Sequence, residues 1–205
     1  MKKLCLTVLL AAFAAPVQAQ APASANPIQA SIDTPEQRKA LRQLTMCLAE
    51  ARPHWARATL AHAYLSDDQA KAAAEALSGH DNCLRSPATE LTFRTSTLVG
   101  ALAEYFVRSD VGRIDLKRLS TALVTAEPLN ASEDFALCIA AGDPRAALDL
   151  VLSDPGSNAE NSAASKLGTR IQSCTKPGEQ LTVDLQSLRA LESAALYRGT
   201  SAAAR

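Results

Sequence analysis

The chain has 205 residues with 21 basic and 21 acidic side chains, and 47% of its residues are hydrophobic while only 4% are aromatic. That balance excludes the broad electrostatic footprint expected of a nucleic-acid binder or a protein held to an anionic membrane by charge. The length allows one domain of ordinary size or two small ones, and an apolar content drawn mainly from Ala and Leu favours helices packed through small side chains.

The first 19 residues read as a signal peptide. Lys2 and Lys3 precede the apolar run "LCLTVLLAAFAA", and Val17 and Ala19 occupy the −3 and −1 positions of a cleavage site after Ala19. The run is shorter than the roughly 20 apolar residues of a membrane span. Cys5 precedes the apolar run and lacks the small-residue context of a lipidation site. The expectation is an exported chain, periplasmic or secreted, with no stable membrane insertion. Removing Lys2 and Lys3 takes the basic count from 21 to two fewer than the acidic count of 21. Residues 20–33 are rich in Ala, Pro, Ser and Gln and read as a flexible leader.

"TPEQ" (34–37) sets Thr as N-cap, Pro at N1 and Gln at N3, predicting a helix whose apolar stripe is Leu41, Leu44, Leu48 and Ala51. Pro53 should end that helix and open a second over 54–65. "SDDQ" (66–69) has the form of a capping box and predicts a third helix over about 67–78, with Gly79 as its C-cap and Cys83 just beyond. A short extended "LTF" leads to another helix over 96–108, and 113–124 reads as a connecting helix ending before Pro128.

The landmarks then recur. An offset of 91 carries Cys47, Pro53 and Cys83 onto Cys138, Pro144 and Cys174, and "SDDQ" onto "SNAE" (157–160). Beyond the second cysteine the offset slips to 90, matching Leu98 with Leu188 and Arg108 with Arg198. The second copy should start near "SEDF" (132–135), use Asp143 as a cap that Arg52 cannot match, and run through helices over 145–152, about 158–167 with Gly168 as C-cap, and 186–198. The expected organisation is a first unit over 34–108, a connecting segment over 109–131, a second unit over 132–198 and a frayed tail over 199–205. No alternating β-branched pattern marks a sheet, so the fold class is all-α with two tandem stapled helical repeats. Four cysteines in an oxidising compartment read as disulfides and allow three connectivities. The equal spacing favours pairing Cys47 with Cys83 and Cys138 with Cys174.

Chemistry is sparse. His54 and His62 stand eight apart, too far for a zinc pair on adjacent helical turns, and no C-x-x-C, H-E-x-x-H or C-x-x-C-H occurs. His80 near Cys83 reads as a solvated loop residue. There is no G-x-S-x-G elbow, and Ser162 and Lys166 read as a solvated i, i+4 pair. Asp67/Asp68 and Glu133/Asp134 sit at helix starts, where the macrodipole accounts for them. "NAS" (130–132) fits a helix start better than a glycan site. No catalytic, cofactor or metal residues are assigned. What remains is a surface: Trp55, the only tryptophan, and the basic run holding Arg113 and Lys117 are candidates for contact with a partner. Each also has a bland reading, as core filler and as a solvated helix.

Cys138, Pro144, "SDPGS" (153–157), "LGTRIQSC" (167–174) and "ALYR" (195–198) together resemble uncharacterised exported proteins of alphaproteobacterial genomes. The resemblance spans both copies and implies an exported repeat protein and nothing sharper. The leading expectation is a non-enzymatic protein that binds another protein or an envelope component; the alternative is an envelope hydrolase without a recognisable local motif.

Overall fold

The computed structural model describes residues 28–29, 34–77, 83, 93–176, 178 and 181–203. The signal peptide, most of the leader, Gly79, His80, Pro87 and Pro177 lie outside the described residues. The fold is all-α, with nine helices among the described residues.

Helix α1 (Pro35–Ala51) starts as its sequence dictates. Thr34 Oγ1 accepts from Gln37 N at 3.2 Å, and Gln37 Oε1 accepts from Thr34 N at 2.8 Å. Arg52 breaks the chain into α2 (Pro53–Ala61) without a side-chain cap. This second helix stops four residues earlier than its sequence suggests, because the chain turns there through Leu65, a non-glycine residue at φ 65°. Next come α3 (Asp67–Leu77), α4 (Thr95–Asp110), a 3-10 turn (Val111–Arg113) and α5 (Leu116–Thr125), the last capped by Asp115.

Helix α6 (Ala131–Gly142) starts one residue ahead of the expected serine. Asn130 is its N-cap, accepting from Glu133 N at 2.9 Å while its Nδ2 donates to Tyr64 O. Asp143 caps α7 (Pro144–Leu152) through Ala146 N, the task Arg52 leaves undone in α2. Helix α8 (Asn158–Cys174) corrects the C-cap reading of Gly168. The helix continues through that glycine, which is buried inside it, because Leu167 and Ile171 extend the apolar stripe and bury fully. Helix α9 (Leu185–Ala203) likewise runs into the segment read as a frayed tail.

Among the described residues sheet is confined to one two-residue parallel pairing, Ile28–Gln29 with Val183–Asp184. Its first strand falls inside the segment read as a flexible leader. The disulfides are Cys47–Cys83 and Cys138–Cys174, with Cα atoms 5.7 and 5.9 Å apart.

One continuous apolar cluster runs from Leu41 in α1 to Leu196 in α9. Its central contact is between α4 and α9, the most extensive helix pair among the described residues. Gly100 makes this possible: a Cβ on it would fall 2.3 Å from Ala190 Cβ. Leu98, Val99 and Leu102 of α4 and Leu188 of α9 are fully buried, so a small residue sets the helix separation while branched ones fill the core around it.

Candidate functional site

Among the described residues the largest convergence of charged side chains lies inside the fold. Glu104 of α4 accepts from Arg189 Nε at 2.8 Å, Arg108 Nε at 2.8 Å and Arg42 Nε at 3.0 Å. Glu160 of α8 accepts from Arg38 at 2.6 Å and Arg189 Nη1 at 3.0 Å. The guanidinium groups of Arg42, Arg108 and Arg189 also donate to carbonyls at the C-terminal end of α7, at Val151 or Ser153. The helix macrodipole places partial negative charge there, so these contacts offset cations that two carboxylates do not fully balance. Burial would push the Glu104 carboxyl up, but its hydrogen bonds and charge contacts with Arg189, helped by Arg42 and Arg108, hold it below its ordinary value. Arg189 is 3% exposed and Glu160 fully buried. Groups this enclosed and mutually engaged hold helices together; they do not meet a substrate.

A second, smaller node joins α6 and the end of α2 to α9. Glu133 accepts from Tyr64 N, Leu129 N and Arg198 Nη2, the last at 2.7 Å. Arg198 also donates to His62 O at the end of α2. Glu133 at its helix start therefore does more than complement a dipole. Arg108 and Arg198 cap helix ends, but the ends belong to α7 and α2 and not to their own helices.

Glu192 is the exception to this pairing. It is fully buried in α9, and neither carboxylate oxygen has a hydrogen-bond partner among the described residues. Burial alone drives its carboxyl well above the ordinary carboxylate value.

The residues singled out as a possible contact surface are not brought together as one site. Trp55 is half-buried, its indole Nε1 donating to Ala72 O at 2.9 Å with the Arg52 guanidinium 5.8 Å from the ring centroid. It thereby ties α2 to α3. Arg113 and Lys117 stay at the surface, in neighbouring concavities that share Asp115 and Arg118. Asp110, Arg113, Ile114, Asp115, Arg118, Leu119 and Thr200 line a concavity of about 180 Å³. Asp115, Lys117, Arg118, Thr121 and Ala202 border a wider, shallower groove beside it.

Sequence reasoning missed the exposed apolar residues of this corner. Of the seven large hydrophobic residues exposed among those described, four are Val111, Leu116, Val124 and Leu129. Ser162 and Lys166 border a third, open depression with Asp149, but both are exposed and Asp149 pairs with Arg145. A Ser–Lys nucleophile needs a desolvated lysine, which that position does not supply. Among the described residues no group of three His, Cys, Asp or Glu side chains could hold a metal ion, and no helix is long and apolar enough to cross a membrane.

Comparison with protein-family models, with curated proteins and with solved structures finds no match to this chain.

Proposed function

We propose that this chain is an exported, non-enzymatic binding protein of the bacterial envelope. The observation that carries the reading is the concentration in residues 111–129, around α5, of four of the seven exposed large hydrophobic side chains among the described residues. Such clustering marks an interface more often than an accident of composition. The buried charge network argues against the hydrolase alternative, since its convergent acid and base groups face one another and not solvent. Two disulfides suit an oxidising compartment, in keeping with the signal-like N-terminus and a periplasmic or secreted destination.

The scaffold is read as two tandemly related units. Gly100 and Ala190, which touch, correspond at the offset of 90 that also relates Arg108 to Arg198. Those arginines donate to Ser153 O and His62 O, which correspond at the offset of 91. Leu65 and Gly156, related by 91, both take a left-handed backbone, at φ 65° and 79°. Their amides donate to Gln69 and Glu160, again 91 apart.

Site-specific photo-crosslinking in the native envelope tests the binding reading. A discrete adduct from a crosslinker at Val124, absent from one at Lys166 on α8, is the expected result. No adduct from Val124, or equal labelling from both positions, would remove it.

A further inference from the structure

Resting on that binding reading, we infer that the α5 corner docks an acidic segment of a protein partner, one that carries apolar side chains among its carboxylates. On the outward face of α5, Lys117, Thr121 and Val124 follow at i, i+4 and i+7. All three are exposed, with Leu116 and Arg118 exposed on the flanks. A cation and a large apolar residue therefore share one stripe.

The charge around them is unequal. Arg113 reaches Asp110 at 3.5 Å, and Asp115 spends one oxygen on the Arg118 backbone amide. The side chains of Lys117 and Arg118 have no partner among the described residues. Both flank the start of α5, where the helix macrodipole adds positive potential. Carboxylates on a partner would meet Lys117 and Arg118, while Val124, Leu116 and the Ile114–Leu119 floor of the 180 Å³ concavity receive apolar side chains.

An anionic membrane is the less suitable occupant. Asp110 and Asp115 border the concavity, so a flat anionic sheet would approach two carboxylates and leave the hollow unfilled. A peptide can place its charges beside the cations and its apolar groups in the hollow.

The test is selection from a displayed library of random 12-residue peptides on the full mature chain with its disulfides intact. Wild type is compared with the K117E/R118E double variant and with V124D, each checked by circular dichroism for an unchanged melt. Wild type should enrich peptides that mix Asp or Glu with apolar residues. Their affinity should fall about tenfold or more in K117E/R118E, weaken with added salt, and be lost in V124D. Peptides that depend on Val124 but show no acidic enrichment and ignore K117E/R118E would overturn the acidic partner while leaving the docking surface standing. No peptide dependent on Val124 would overturn both. Flotation with vesicles containing 30% phosphatidylglycerol, abolished by K117E/R118E where no peptide is selected, would overturn the inference in favour of a membrane.

Discussion

Gly100 of α4 and Ala190 of α9 meet so closely that a Cβ at position 100 would lie 2.6 Å from the Ala190 Cα and 2.3 Å from its Cβ. The obstacle includes backbone, which cannot swing aside as a flexible side chain would. Replacing Gly100 with Ala gains up to about 1 kcal/mol of helix propensity, but it forces apart the two helices that organise the core. The net expectation for Gly100→Ala is a loss of about 1–3 kcal/mol in urea unfolding. Adding Ala190→Gly should recover part of it; a double variant no better than the single one would show that the seam is not the cause.

Glu192 and Glu104 should give opposite pH dependences. The Glu192 carboxyl is raised above its ordinary value of 4.5 by burial, so the folded state holds its proton more tightly than the unfolded chain does. Its contribution to stability is full below that value and declines as pH rises above it. Among the charged groups on helices packed against α9, Glu104 pairs with Arg189 and Arg108, and Glu133 with Arg198, so these offer it no relief. Glu192→Leu should raise stability by about 1–3 kcal/mol near neutral pH and flatten the falling limb. Unfolding midpoints at pH 5, 7 and 9 check this, and an unchanged slope would contradict it.

Glu104 behaves in the reverse sense. Despite its burial, Arg189 and its neighbours hold its carboxyl below the ordinary 4.5, so its contribution is present above that value and is lost as pH falls through the lowered one. Glu104→Gln leaves three guanidinium groups short of a carboxylate and should cost about 3–5 kcal/mol at neutral pH. Removing Arg189 as well should cost less than the sum of the two single changes, which a double-mutant cycle measures.

Each disulfide spans 36 residues. Loops of that length are expected to stabilise the fold by about 3–4 kcal/mol in the chain-entropy account. Cys138→Ser with Cys174→Ser should lower the denaturation midpoint accordingly while leaving the Cys47–Cys83 peptide pair intact in non-reducing mapping. Recovery of a Cys47–Cys138 peptide from the native protein would contradict the pairing.

Local signals carried the fold a long way. Thr34, Asp143 and Ser157 announce their helices because a cap is satisfied within three or four residues of chain. Two kinds of feature were hidden. Gly168 looks like a terminator, yet whether a glycine ends a helix depends on the burial of Leu167 and Ile171 around it. The pairing of Arg38 with Glu160 joins residues 122 apart, and no spacing rule reaches that far. The α5 corner was half legible: Arg113 and Lys117 stand out as a basic run, whereas the exposure of Val124 follows only from how α5 settles against α9. Trp55 drew notice for its rarity, and Ala72 O accounts for its indole.

Arg189 enters last. It sits in the final described helix, yet it supplies the guanidinium that bridges Glu104 and Glu160. Until α9 has been synthesised, closing the earlier helices would bury Glu160 with Arg38 alone and strip Glu104 of its best-buried partner. Packing the earlier helices without α9 therefore leaves both buried carboxylates short of the one cation they share, so α9 completes the charge balance of the whole interior.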